Sequence, residues 1–194
     1  MSIEAWTRRS ALLGVLALGA CGPLISRTDF RAGAKGDGGW RLAEVDVRVP
    51  ERMVVSQVVD SHYPPIDHLV WWGDPPGDRK AQVSDLMEEA TRRGASAALT
   101  GGRPVRLELT IRQFHAMTPL ARATSLQAGV HEIQFDIAVR DASTGSVLAE
   151  EKAVNADLRA FSGEKAVEAE ARGEDQKTRI QRRVAEVVEA WLKA

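Results

Sequence analysis

The sequence predicts an α+β domain, built as a two-layer sandwich in which an antiparallel meander sheet is covered on one face by two helices, the C-terminal one long. Apolar residues alternate with polar ones in several stretches, a period typical of half-buried strands. Other stretches repeat their apolar residues at helical spacing. The chain has 194 residues, with 26 Lys and Arg against 27 Asp and Glu, which is typical of one folded domain and does not indicate nucleic-acid binding.

Residues 1–20 have the layout of an export signal. Arg8 and Arg9 form a positive start, and an apolar run from Ala11 to Ala20 follows. A membrane-spanning helix needs roughly 20 apolar residues, so this shorter run predicts a cleaved signal and no transmembrane helix in the remaining chain. The two arginines also resemble the twin-arginine export motif, and a plain positive start explains them equally well. The export route is therefore left open.

The only cysteine of the chain, Cys21, directly follows this run. Leu18, Gly19, Ala20 and Cys21 resemble the lipobox of bacterial lipoproteins, in which a diacylglycerol is attached to the cysteine thiol and the signal is cut before it. The resemblance implies a lipid on Cys21 and a protein anchored in the bacterial envelope, facing the periplasm. Gly22 stands where enterobacterial lipoproteins retained at the inner membrane have Asp, which favours the outer membrane. Lipid attachment also explains a cysteine that has no disulfide partner.

Residues 21–39 are predicted to be a lipid-anchored flexible tether. Glycines crowd toward the end of this stretch, and it has no sustained periodicity. As a flexible coil it spans very roughly 25 Å. Leu24, Ile25 and Phe30 leave a second interpretation open, in which the stretch docks on the domain.

A single α+β domain is predicted from residue 40 to 194. Period-two alternation of apolar residues predicts strands over 45–49, 105–111, 133–139 and 147–157. The last three follow one another through turns and predict an antiparallel meander. The first strand is expected to end at Pro50, and a short apolar strand is expected before Trp71.

Helical spacing predicts one helix from about residue 78 to 93, ended by Gly94. A second, long helix is predicted from Ser162, as its N-cap, to about Lys193. Gly173 weakens that helix by up to about 1 kcal/mol relative to Ala and marks a bend. The core-facing residues expected are Val83, Leu86, Met87 and Ala90 in the first helix, and Val167, Ile180, Val184, Val187, Val188, Trp191 and Leu192 in the second.

The order of these elements resembles the small envelope lipoproteins that serve as auxiliary subunits of lipid-transport ABC systems, the PqiC-like group. The resemblance rests on the lipobox, the Trp71–Trp72 pair before the first helix, the stretch VRDASTGSVLAEE in the meander and the terminal helix. It implies an accessory role in envelope lipid transport. The chain also resembles an uncharacterised lipoprotein family of diderm bacteria and the CsgG and LpoB type of periplasmic lipoprotein. These resemblances transfer no catalytic residue.

No motif for a serine nucleophile, a phosphate-binding loop or a zinc protease is present in the sequence. His62 and His68 lie near acidic residues, but the two prolines between them do not permit the helical spacing of known histidine pairs, so no metal site and no cofactor are expected. The sequence therefore predicts a non-catalytic binding or assembly module with an unidentified envelope protein as partner. The alternative is an envelope enzyme whose groups are scattered in sequence.

Two pairs of residues are candidate sites. His115 and His131 both share parity with apolar strand residues, and a hairpin folding about residue 123 would place them side by side at the edge of the core. They are interpreted either as two buried neutral histidines or as a ligand-binding or proton-sensing pair. Trp71 and Trp72 are adjacent and should face opposite sides of a strand. One of them would contact a partner or lipid headgroups, or be covered by a loop.

Overall fold

The computed structural model describes residues 28–34, 39–56, 67–124 and 129–194. Within these residues the chain forms a seven-stranded open sheet and four helices, which confirms the predicted α+β class. The strands are β1 (Trp40–Arg48), β2 (Val54–Val55), β3 (His68–Val70), β4 (Arg103–His115), β5 (Val130–Asp141), β6 (Val147–Asn155) and β7 (Leu158–Arg159). The helices are α1 (Arg79–Ala98), α2 (Pro119–Thr124), α3 (Gly163–Ala171) and α4 (Gln176–Lys193).

The long strand β4 organises the sheet, because other strands pair along both of its edges. β5 pairs antiparallel with β4 and β6 pairs antiparallel with β5, so the predicted meander is confirmed. β1 and β3 instead run parallel to β4, and the prediction of an antiparallel sheet is wrong for them. The chain between β1 and β4 contains α1, which provides the long crossover that parallel strands need. Apolar alternation indicates a strand but not its direction.

The core lies between one face of the sheet and the helices α1 and α4. The sheet residues buried there are Val105, Leu107, Leu109, Ile111, Ile133, Phe135, Ile137 and Val139. The predicted helix residues Val83, Leu86, Met87, Ala90, Ile180, Val184, Val187, Val188, Trp191 and Leu192 are buried against them. The opposite face of the sheet carries ion pairs, which include Arg106–Glu44, Arg112–Asp136 and Arg140–Glu108. Exposed pairs of this kind add little stability, so packing on the helical side holds the sheet.

Helix α1 does not end at Gly94, as predicted, but continues to Ala98. Gly94 is buried where α1 crosses α4, and a Cβ atom placed on it would lie 2.3 Å from the carbonyl oxygen of Ala185. The glycine therefore permits a close approach of two helix backbones instead of ending one of them.

The predicted long C-terminal helix is two helices, α3 and α4. Gly173 has a φ of +76° and its N–H donates to the carbonyl of Glu170, which ends α3. Asp175 then caps α4, since its side chain accepts the N–H of Thr178 at 2.7 Å. Because of this break, Val167 of α3 is 64% exposed, and its prediction as a core residue is wrong. Ser162 is at the N-cap position of α3, where the long helix was expected to begin, but its side chain makes no capping hydrogen bond.

Candidate functional site

A groove runs between residues 28–34, called here the N-terminal segment, and the outer side of α4. Its volume is about 530 Å³. The residues that line it include Asp29, Phe30, Arg31, Arg183, Glu186 and Ala190. The groove is open and has charges of both signs, so it has the character of a binding surface instead of a closed catalytic pocket.

A buried carboxylate holds the N-terminal segment to the sheet. Glu151 lies on β6 and is only 6% exposed. Its Oε2 atom accepts the backbone N–H groups of Arg31 and Ala32, each at 3.1 Å. Burying a carboxylate is costly unless it is hydrogen-bonded, and these two bonds offset that cost. Glu151 thus fixes the course of the N-terminal segment along the edge of the sheet.

Arg183 of α4 holds the start of the segment. Thr28 Oγ1 donates to the carbonyl of Asn155 at 2.8 Å and accepts from Arg183 at 3.0 Å. Arg183 also donates to the carbonyl of Asp157 at 3.3 Å. Burial lowers the pKa of the Arg183 guanidinium, while Glu186 and Asp157 act in the opposite direction. The guanidinium therefore joins three chain segments at one end of the groove.

The end of the segment covers the last turn of α4. The N–H of Ala34 donates at 2.9 Å to the carbonyl of Trp191, which also accepts the N–H of the C-cap residue Ala194 at 3.3 Å. Gly33 has a φ of +60°, and a Cβ atom there would lie 2.7 Å from Ala194 Cβ. Glycine adopts this left-handed backbone without strain, whereas a side chain there would be strained and would strike Ala194. Glu151, Arg183 and the Trp191 carbonyl together are called the clamp.

Residues 28–34 fall within the predicted tether of residues 21–39, and they dock on the domain. Phe30 packs against the core, which agrees with the second of the two interpretations left open for this stretch. The docking depends on Glu151 and Arg183, which are distant in sequence from residues 28–34. The sequence of the tether therefore gave no indication of it. Leu24 and Ile25 lie outside the described residues.

The predicted side-by-side placement of His115 and His131 is wrong. Arg112 forms a bulge in β4, so the register shifts by one residue and His115 pairs with Glu132. Past the bulge, Phe114 enters the core and His115 turns to the opposite face. The Nε2 atom of His115 donates to the carbonyl of His68 at 3.0 Å. Its Nδ1 atom lies 3.0 Å from Glu132 Oε2 and 3.1 Å from Gln113 Nε2, which also donates to Glu132 Oε2 at 2.9 Å. His115 therefore links β3 to β4 and β5.

His131 lies on the core face, as predicted, and is 1% exposed. Among the described residues, neither of its ring nitrogens has a hydrogen-bond partner. Burial and the nearby positive charge of Arg179 lower the pKa of His131 to about 3. Arg179 itself stacks on the Phe161 ring, 3.5 Å from its centroid. This histidine is neutral at physiological pH.

The two adjacent tryptophans follow the end of β3 and have different surroundings. Trp71 is 1% exposed, packs edge-on against Phe114 and donates from Nε1 to Asp74 at 2.8 Å. Trp72 is half-buried, and the guanidinium carbon of Arg79 lies 5.4 Å from its ring centroid. Arg79 therefore covers part of the tryptophan that was a candidate for partner contact. The role of Trp72 toward a partner stays a prediction.

The lipobox residues Leu18, Gly19 and Ala20, together with Cys21 and His62, lie outside the described residues. Across 28–34, 39–56, 67–124 and 129–194, no cluster of His, Cys, Asp or Glu is arranged to hold a metal ion. No helix in this part of the chain is long and apolar enough to cross a membrane.

Sequence reasoning missed Glu151, which is the central residue of the clamp. It pairs with Ile137, whose side chain points into the core, so Glu151 is an inward-pointing charge on a strand at the edge of the sheet. The available signal was its position in β6. Counting every second residue places Glu151 on the apolar side of an edge strand, where a charged side chain needs a specific partner.

Several solved structures share parts of this architecture. A protein of family DUF330 from Xanthomonas campestris is 12% identical with a TM-score of 0.46, over 85% of this chain and 90% of that one. A PelC dodecamer from Paraburkholderia phytofirmans is 13% identical with a TM-score of 0.39, over 84% and 95%. A candidate lipoprotein from Caulobacter crescentus is 16% identical with a TM-score of 0.33, over 56% and 82%. Similarities at this level transfer no function.

No curated protein matches the chain. The model of a family described as a family of unknown function, DUF6778, matches residues 40–194. Since this match covers more than half of the sequence, the chain belongs to the family DUF6778.

Proposed function

We propose that this protein is a bacterial envelope lipoprotein, anchored through a lipid on Cys21, whose folded domain is a non-catalytic binding or assembly module. In this proposal the signal of residues 1–20 is removed on export. The domain of residues 40–194 then faces the periplasm, with the outer membrane favoured by Gly22.

The observation that carries the proposal is the docking of the N-terminal segment beside the groove. The segment begins seven positions after Cys21, and Glu151 and Arg183 hold it against the domain. A linker whose only task is to separate the domain from its anchor does not need a buried carboxylate to hold it. The arrangement instead supports a module whose binding surface has a set position relative to the anchor.

The hydrogen bonds of His115 support a non-catalytic role over the alternative of an envelope enzyme. His115 and Glu132 form an acid–histidine pair of the kind found in catalytic sites. In such sites the second ring nitrogen faces the substrate, whereas here Nε2 donates to the carbonyl of His68. The pair therefore supports strand docking, and His131 is too deeply buried to reach a substrate.

The partner that we propose is a protein of an envelope lipid-transport system. This part of the proposal rests on the resemblance of the lipobox and the element order to the PqiC-like group. The groove beside the N-terminal segment offers charges of both signs and the exposed Ala190, a surface that suits a protein segment better than a single small ligand.

Replacing the cysteine tests the anchor. Cys21→Ser should abolish incorporation of labelled palmitate and move the protein from the membrane fraction to the released fraction. Ser26→Ala, which leaves the lipobox intact, is the control and should behave as the parent. A Cys21→Ser protein that stays in the membrane fraction in high salt contradicts the anchor.

Site-specific photo-crosslinking tests the groove. A photoreactive residue in place of Ala190 should form a discrete adduct with one envelope protein in living cells. The same residue in place of Glu168, which is exposed on α3, is the control and should form none. Equal adducts at both positions, or none at either, would show that the groove does not bind a partner.

A further inference from the structure

We propose that the clamp makes the N-terminal segment a fixed spacer, which keeps the β6–α4 side of the domain next to a lipid bilayer in one orientation. The inference rests on the proposed anchor at Cys21. It adds the maximum distance between the anchor and the domain, and the side of the domain that faces the bilayer. The partner in question is the lipid surface itself.

The number of residues between the anchor and the clamp limits the distance between them. Thr28 is held by Asn155 and Arg183, so only seven peptide steps separate it from Cys21. At about 3.3–3.6 Å per residue, the clamped position cannot lie farther than about 25 Å from the anchor. Were the chain free as far as Gly39, the limit would be about 60 Å, since eighteen steps separate it from Cys21. Docking of the segment therefore shortens the maximum distance between Cys21 and the first held residue by more than half.

The position of Thr28 sets which side faces the bilayer. It lies beside Asn155, at the end of β6, and beside Arg183 on α4. The sheet then continues away from it through β5 and β4 to β1. With neighbouring strands about 4.8 Å apart, β1 lies about 14 Å farther from this edge. The end of β6 and the outer side of α4 should thus be near the lipid, and β1 far from it.

Electrostatic attraction between the charges beside the segment and anionic lipid does not explain this orientation. Arg31 and Arg183 line the groove together with Asp29 and Glu186, so positive and negative side chains balance. A balanced surface gains little from anionic headgroups. The orientation should therefore be the same on neutral and on anionic lipid.

Paramagnetic relaxation measures the orientation directly. The chain of residues 21–194, which remains after removal of the signal, is coupled through Cys21, its only cysteine, to a maleimide phospholipid in nanodiscs that contain a gadolinium-bearing lipid. Amide relaxation enhancement should be strongest around Asn155 and on the outer side of α4, and weakest on β1. The pattern should not change when neutral phosphatidylcholine is replaced in part by anionic phosphatidylglycerol.

Variants of the clamp separate this idea from simple tethering. The double variant Thr28→Val with Glu151→Ala removes the hydroxyl that Asn155 and Arg183 hold and the acceptor for Arg31 and Ala32, so the gradient across the sheet should become nearly uniform. Gly33→Ala should weaken the gradient, because it disfavours the left-handed backbone and strikes Ala194. Glu150→Ala, on the same strand but exposed, is the control and should keep the parent pattern. Unchanged amide shifts in the core confirm that each variant is folded.

A uniform enhancement in the parent protein, or a gradient that survives both clamp variants, would overturn the proposal. A gradient that appears only on anionic lipid would show electrostatic binding instead. Because Cys21 is coupled chemically, these results do not depend on lipidation in cells. If the proposed lipid anchor is wrong, the fractionation of Cys21→Ser shows it. If the proposed role of the clamp is wrong, only the relaxation measurement shows it.

Discussion

At the scale of single residues, His131 shows how burial alone sets a protonation state. Its ring nitrogens are enclosed by the core and have no hydrogen-bond partner among the described residues. Protonation would place a positive charge in this enclosed space beside Arg179, which explains why the pKa falls to about 3. In the unfolded chain the same side chain titrates near 6.5.

His131 should make folding stability depend on pH in mildly acidic solution. Between pH 6.5 and 3 the unfolded chain binds a proton that the folded domain excludes, so the free energy of unfolding falls as pH falls. The loss is about 1.4 kcal/mol per pH unit, or about 2 kcal/mol from pH 6.5 to 5. His131→Gln should remove most of this slope in urea denaturation curves. Curves of parent and variant that fall in parallel over this range would contradict the assignment.

At the scale of secondary-structure elements, the crossing of α1 and α4 depends on one glycine. Gly94→Ala places a Cβ atom 2.3 Å from the Ala185 carbonyl oxygen, too close for any rearrangement of side chains to relieve. Overpacking of this kind costs about 1–3 kcal/mol and exceeds the gain in helix propensity of about 1 kcal/mol. We therefore expect a net loss of about 1 kcal/mol in the free energy of unfolding, measured by urea denaturation.

Gly102→Ala is the matched control for this prediction. No atom lies within 4 Å of a Cβ placed on Gly102, so its variant should stay within about 0.5 kcal/mol of the parent. If both alanine variants have the stability of the parent, the two helices do not cross as closely as the structure shows.

At the scale of the whole molecule, α4 joins the sheet, α1 and the N-terminal segment. Deleting residues 183–194 removes the buried side chains Val184, Val187, Val188, Trp191 and Leu192. Burial of each large apolar side chain is worth about 1.5–3 kcal/mol, against about 5–15 kcal/mol for a whole domain. The shortened chain should show no cooperative melting by circular dichroism.

A chain that lacks only the exposed residues 193 and 194 is the control for this truncation, and it should still melt cooperatively. Cooperative melting of the chain shortened at residue 183, near the temperature of the parent, would show that the sheet and α1 form a sufficient core without α4.

The faces of the main strands and helices could be predicted because burial leaves a local period in the sequence. Val105, Leu107, Leu109 and Ile111 lie two residues apart and are all buried on the core face. The same pattern failed beyond Arg112. One bulged residue reverses the facing of every later side chain in β4. Its sign in the sequence is that polar Gln113 takes the apolar parity and Phe114 the polar one.

The sequence by itself determined the α+β class, the meander and the core faces of α1 and α4, since each depends on residues that are close in the chain. Only the tertiary structure decided the parallel pairing of β1, the separation of His115 from His131 and the docking of the N-terminal segment. The bond from Arg31 to Glu151 spans 120 positions. Contacts of this kind join residues that only the folded sheet brings together, so their physical cause is the folded arrangement and not any local pattern of residues.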